Sequence, residues 1–164
     1  MVRRAGARLW RSSPIGEVVE GRAEIADDYW GGVESVIQLD EAEFPRDAVP
    51  GRAEFSHLVG VWHFDQASPG DVEYYVRSPR GNTQWPATGT FAHRNHRRPN
   101  QLAQSSPRLL KVDGLCLRVA DLDAVVGTKI HDLSPHFTEM GPRGTVHELA
   151  WPGEMLADHW TDNS

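Results

Sequence analysis

Leu109-Leu110-Lys111-Val112-Asp113-Gly114-Leu115-Cys116-Leu117-Arg118-Val119 sets two apolar segments on either side of an Asp-Gly pair. Asp-Gly between such runs favours a two-residue hairpin loop, because both loop positions accept positive φ. The two-residue period then places Leu115, Leu117 and Val119 on one face and Cys116 and Arg118 on the other. Cys116 reads as a packing residue, since no motif of thiol catalysis surrounds it.

Outward from this hairpin, Ile15 to Glu20, Ser35 to Leu39, His57 to Phe64 and Val72 to Val76 combine β-branched and aromatic residues with breakers at their ends. These are strand signals. Eleven prolines and fifteen glycines spread through the 164 residues leave little room for long helices. The expected fold class is all-β or β-dominated, a single small antiparallel β-barrel with a few short helices. Residues 1–12 read as an N-terminal extension, 13–140 as the barrel and 141–164 as a tail. That tail, with Trp151, Met155, Leu156 and Trp160 beside Pro152, is expected to pack on the barrel or to serve as a dimer arm, with a short helix over Met155 to Trp160.

At 39% hydrophobic and 24% charged residues, the chain has the composition of one globular domain. No apolar run approaches the roughly 20 residues of a membrane helix, and the basic start Met1 to Arg11 lacks the apolar stretch of a secretory signal. A cytoplasmic protein without a membrane partner is expected. One cysteine excludes an internal disulfide and a cysteine-based zinc site. The formal charge of −6 argues against a generally basic nucleic-acid binder, while leaving room for a local basic patch.

The richest chemistry lies between the strands, in Phe91-Ala92-His93-Arg94-Asn95-His96-Arg97-Arg98-Pro99-Asn100. Arginine forks hold carboxylate or phosphate at two points, and asparagine can read the donor and acceptor edge of an adenine. An adenosyl ligand bearing a carboxylate suits such a loop; a solvated basic turn is the plain alternative. His93-x-x-His96, or His131 with Asp132, could ligate zinc or iron. No HExxH spacing is present, eight histidines are compatible with ordinary surface roles, and no metal is assigned.

The same loop resembles the signature of the TrmO family of β-barrel S-adenosylmethionine-dependent methyltransferases, written approximately F-A-T-R-S-P-x-R-P-N-P-I-G. Phe91, Ala92, Arg94, Arg98, Pro99 and Asn100 stand at matching places. Ser13-Pro14-Ile15-Gly16 resembles the family's opening P-I-G strand and Phe55-Ser56-His57-Leu58 its F-S-H-L entry. Gly127-Thr128 with Asp132 and Pro135 resembles its L-D-G-T-P-V-L-D-I-K-P-Y segment. The resemblance implies a methyltransferase that binds S-adenosyl-L-methionine, commonly as a homodimer with the site near the interface. By carry-over Arg94, Arg98, Pro99 and Asn100 form the cofactor loop, with His57 beside it and Asp132 on a ligand hydroxyl or amine. His136, where the family has tyrosine, is the first candidate for a catalytic base, then His93, with Asp132 as a further catalytic candidate.

Departures cluster at the same places. His93 replaces threonine, Asn95-His96 replaces Ser-Pro, Gln101-Leu102-Ala103 replaces Pro-Ile-Gly, and Val126 replaces aspartate. With the acidic balance, they favour a small-molecule acceptor over tRNA. The retained Arg-Pro-Asn loop keeps tRNA adenosine N-methylation beside the anticodon as the alternative, and replaced motif residues keep a non-catalytic adenosylmethionine-binding protein.

Overall fold

A computed structural model describes residues 12–162; the expected extension over residues 1–12 therefore lies, except for Ser12, outside the described residues. Seven strands form one antiparallel sheet: β1 (Gly16–Glu20), β2 (Glu34–Leu39), β3 (Leu58–His63), β4 (Leu102–Ser105), β5 (Arg108–Asp113), β6 (Cys116–Ala120) and β7 (Lys129–Pro135). Their order is β4-β3-β7-β1-β2-β6-β5. Among the described residues one short α-helix, α1 (Ala150–Met155), follows, and six single turns of 3-10 helix lie in the loops. The fold class is the one expected from the breakers.

The sheet works because its strands alternate. Along β3, Leu58 and Trp62 are buried while Val59, Val61 and His63 are only partly covered. Trp62 faces Ile130 across the ladder, and Ile37 faces Leu117. These side chains join Val18, Val119 and Leu122 in one core. Each such side chain contributes on the order of 2 kcal/mol of burial.

The edges β4 and β5 are successive in the chain, separated only by Ser106 and Pro107. β4 pairs with β3 and β5 pairs with β6. Past the break, a single bridge joins His57 to Arg108, and the Leu58 N–H donates to the Pro107 carbonyl at 3.0 Å. The sheet thus curls round on itself, but no continuous ladder closes it into the expected barrel. Proline is the local reason, because it has no N–H to give a ladder.

Three local expectations change. The hairpin loop is Gly114-Leu115, with Asp113 paired to Cys116. Gly114 alone takes positive φ, 58°, and Leu115 tucks into the core. This gains a buried leucine, and Leu117 and Val119 still face inward as expected. Val72 to Val76 is not a strand: it has no ladder partner, and Tyr74, Tyr75 and Val76 are exposed. Strand-forming side chains do not make a strand without a neighbour. The helix ends at Met155, and Leu156 to Trp160 form turns instead; its start lies earlier because Pro152 sits in the first helical turn, where its missing N–H costs nothing.

The tail is packed on the fold. Trp151 is buried, with its ring 6.0 Å from that of His93, and Trp85 Nε1 donates to Glu154 at 2.8 Å. Further on, Gly31 pairs in parallel with Asp162. A Cβ at Gly31 would lie 2.0 Å from the Trp160 carbonyl oxygen, so the approach depends on glycine. Among the described residues no helix is long and apolar enough to cross a membrane.

Candidate functional site

The loop between Gly89 and Gln101 is held from inside. Thr90 is buried, and its hydroxyl accepts from Arg77 Nη1 at 3.1 Å. Arg77 Nη2 also donates to Asn95 Oδ1, which caps the Arg97 N–H as well. His93 is 4% exposed, and its Nε2 lies 3.1 Å from both the carbonyl and the hydroxyl oxygen of Thr88. His93 is therefore a bolt beneath the loop, with its ring turned from solvent. Gln101 closes the loop at φ 49°, an uncommon conformation for a side-chain-bearing residue. Its amide donates to the Ser68 carbonyl at 2.9 Å, and its own carbonyl accepts from the Phe64 N–H.

Two arginines emerge from this platform. Arg94 is exposed and Arg98 half-buried. Arg94 Nη2 donates to the Gln104 carbonyl at 2.9 Å, and Arg98 Nη2 donates to that of Leu102. Burial, and then the charge of Arg94, hold Arg98 below the ordinary guanidinium range. Neither arginine has a carboxylate partner among the described residues, whereas Arg77 and Arg97, which brace the same loop, share one, and four other cations of the fold have one. Arg97 and Arg77 pair with Glu73, Arg80 with Asp28, Arg108 with Asp121, Arg118 with Glu34 and Lys129 with Glu17. Two cations side by side without an anion make a place where a carboxylate or phosphate gains most. Pro99 and Asn100 turn at the rim, Asn100 exposed.

β3 serves as the ruler for the remaining candidates. Leu102, beneath Arg98, pairs with His63 at one end; Gln104, beneath Arg94, pairs with Val61, and Asp132 faces Val61 from the other side. Asp132 is exposed in mid-sheet. His57 and His136 lie beyond the opposite end, where the His136 N–H donates to the His57 carbonyl at 3.0 Å. At about 3.3 Å per residue, His57 is roughly 20 Å along the strand from His63. Within one subunit the structure therefore gathers Arg94, Arg98, Pro99 and Asn100, sets Asp132 across β3 from the strand they brace, and leaves His57 and His136 at the far end.

At the loop end stands a pair that the sequence reading did not single out. His63 Nδ1 is 2.9 Å from Asp65 Oδ1, and the other Asp65 oxygen accepts from the Lys129 N–H at 2.6 Å. The visible signal was a His-x-Asp at the exit of a strand. Ser12 Oγ is 2.9 Å from His131 Nδ1, and the His131 ring lies 6.2 Å from that of His63. Among the described residues no group of three or more His, Cys, Asp or Glu side chains is placed to hold a metal ion.

At the far end, a cleft of about 590 Å³ is lined by His57, Arg108, Asp121, Trp160 and Asp162 among others. Burial pushes Asp121 up, but the Arg108 hydrogen bond, the Gly32 N–H and the charges of Arg108 and His57 bring it below the usual carboxylate range.

A curled antiparallel sheet carrying a rigid loop with two unpaired arginines defines a small β-fold ligand-binding domain. The chain belongs to the TrmO family: residues 26–141 match the family described as tRNA-methyltransferase O N-terminal domain. It is 33% identical over 93% of its length to a protein of Pseudomonas aeruginosa named "Putative S-adenosylmethionine-dependent methyltransferase RcsF", of which it covers 66%. It is 38% identical over 55% of its length to the tRNA (adenine(37)-N6)-methyltransferase of Escherichia coli, covering 40% of that protein. The chain thus spans less than two thirds of either relative. The crystal structure of TrmO from Pseudomonas aeruginosa superposes with a TM-score of 0.69 at 20% identity, over 89% of this chain and 63% of that one, a likeness of fold.

Proposed function

We propose that the protein is an S-adenosyl-L-methionine-dependent methyltransferase acting on a small or specialised metabolite. One observation carries the cofactor assignment: Arg94 and Arg98 share a braced loop without a carboxylate, while the cations around them are neutralised. Their forks fit the carboxylate of an amino-acid-bearing cofactor, and Asn100 at the rim fits an adenine edge. The cofactor, when bound, supplies an activated methyl group; the chain supplies its orientation. Arg94 and Arg98 bind and orient, and His63, held by Asp65, presents its Nε2 at the same end, where a proton could be taken from an acceptor. Holding acceptor and methyl group in line accounts for much of the rate in such transfers.

The acceptor follows from charge. Among the described residues, Arg77, Arg80, Arg97, Arg108, Arg118 and Lys129 are paired to acids, and the formal charge is −6, a balance that favours a small acceptor over a phosphate backbone. A second reading, tRNA adenosine N-methylation, draws on one feature: Tyr74, Tyr75 and Phe91 are exposed in the loops on either side of Arg77, as base-stacking side chains are. Both relatives described above carry methyltransferase names, one of them for tRNA. Homodimerisation belongs to the proposal too, because a partner subunit could bring its His57 and His136 end to this loop.

The test is transfer of label from methyl-labelled adenosylmethionine into a small-molecule extract and, separately, into unmodified tRNA. Incorporation into a low-mass product, insensitive to salt, supports the metabolite reading. Incorporation into tRNA alone, falling steeply with salt, replaces it with the second.

A further inference from the structure

Residues after α1 return to the sheet side of the fold. Residues 156–162 run beside the segment 27–32: the Tyr29 N–H donates to the Asp158 carbonyl at 3.0 Å, the Trp30 N–H to that of His159 at 2.7 Å, and Gly31 bridges Asp162. At the centre His159 is clamped through both ring nitrogens. Nδ1 lies 2.8 Å from the Asp27 carbonyl oxygen, and Nε2 lies 3.4 Å from Asp123 Oδ2. A carbonyl and an ionised carboxylate only accept hydrogen bonds, and only imidazolium carries two N–H groups. A neutral ring satisfies one side and turns a lone pair toward an acceptor on the other. The docked geometry therefore selects the cation.

The charged groups that face the ring agree in sign. Asp123 approaches from the segment after β6, and its other oxygen accepts from Ser105, whose hydroxyl accepts from buried Trp62 Nε1. Asp28 lies on the docking segment, with one negative charge offset by the Arg80 fork at 2.8 Å; Asp27 lies 3.9 Å from Arg80 Nε. Asp158 precedes the ring in its own segment. The indole of Trp160 stands edge to face at 4.6 Å. The Asp123 hydrogen bond outweighs burial, and with Asp27 and the charges of Asp123 and Asp28 it raises His159 above the ordinary histidine range.

We propose that residues 156–162 form a proton-latched strap, docked while His159 is charged and released when it loses its proton, so that pH sets access to the cleft lined by His57. Trp160 and Asp162 are walls of that cleft, so release removes one side of it. The sign follows from the raised pKa. The latch is complete below the free histidine value of about 6.5 and weakens as pH rises through the docked value. Each unit by which docking raises the pKa makes docking about tenfold weaker once the ring is neutral.

The amides of Tyr29 and Trp30 report docking directly, because the strap holds their acceptors. Hydrogen exchange, corrected for intrinsic rates, is measured from about pH 6 to about pH 9. Their protection should fall several-fold across that range while core amides of β2 stay protected. His159→Gln should remove the pH dependence, leaving protection low throughout. Asp123→Asn should move the transition to lower pH. Protection that is flat with pH, or unchanged in a folded His159→Gln protein, overturns the latch. An NMR titration of His159 in the unaltered protein tests the latch independently should a variant not fold. An imidazole pKa above about 6.5 agrees with the latch, and one at or below it overturns the latch.

Discussion

Two residue types in the signature loop look alike in sequence and separate in the fold. His93 lies beneath the loop and Arg94 above it. His93→Ala empties the site of a buried ring beside Trp151 and takes a hydrogen-bond partner from half-buried Thr88, whose carbonyl keeps the Arg77 N–H, so it should cost on the order of 2 kcal/mol in chemical denaturation. Arg94→Ala should leave the melting temperature within a degree or two and weaken adenosylmethionine affinity in calorimetry by roughly tenfold, the scale of a charged hydrogen bond. Arg98→Ala removes the proposed cofactor fork and also the brace on Leu102, so it should lower affinity and stability together. Arg98→Lys should restore neither fully, because an ammonium cannot reproduce the fork. His136 is exposed and far along β7 from the loop, so His136→Phe should leave cofactor affinity within a few-fold. A turnover loss of roughly a hundredfold with affinity intact would identify it as the base. Unchanged turnover would leave His63 as the better candidate.

Among the elements, the strap and the broken strand decide shape. Gly31→Ala forces a Cβ against the Trp160 carbonyl, so the strap must undock or the segment 29–32 must shift. Proteolysis of the C-terminal residues should accelerate at least tenfold in that variant, with β2 still protected from exchange. These elements also separate what is legible in sequence from what is not. β1, β2, β3, β5 and β6 were legible because alternation and breakers are local properties. The signature loop stood out as a candidate through its match to the family's Arg-Pro-Asn pattern, since arginines gathered in a polar turn also have structural uses, as the Arg97 pair with Glu73 illustrates. Val72 to Val76 misled, since its composition is strand-like and only the absence of a neighbouring strand decides against it. The separation of His57 from Arg98 was not legible, because it depends on which end of β3 receives β4. Nor was the clamp on His159, whose partners Asp27 and Asp123 are distant in the chain.

Ion pairs tie loops that the sheet itself does not join, and this gives the whole molecule a bounded pH range. The Arg80 hydrogen bond holds Asp28 below the usual carboxylate value, and Asp121 is likewise lowered. Stability from these groups is present above the ordinary carboxylate value of about 3.9 and is lost as pH falls through their folded values. His159 acts on the other side, with its contribution complete below about 6.5 and lost as pH rises through its raised value. Thermal unfolding across pH should therefore peak on a plateau between these limits, and His159→Gln should flatten only its alkaline edge. The proposed function rests on two unpaired arginines on a braced loop as the binding site for the cofactor of the TrmO family. Isothermal titration of the full chain with S-adenosyl-L-methionine measures this directly. The expected result is saturable binding, with a melting temperature that climbs with ligand concentration by mass action and with both effects reduced in Arg94→Ala. Absence of heat and of any melting shift at millimolar ligand would contradict it.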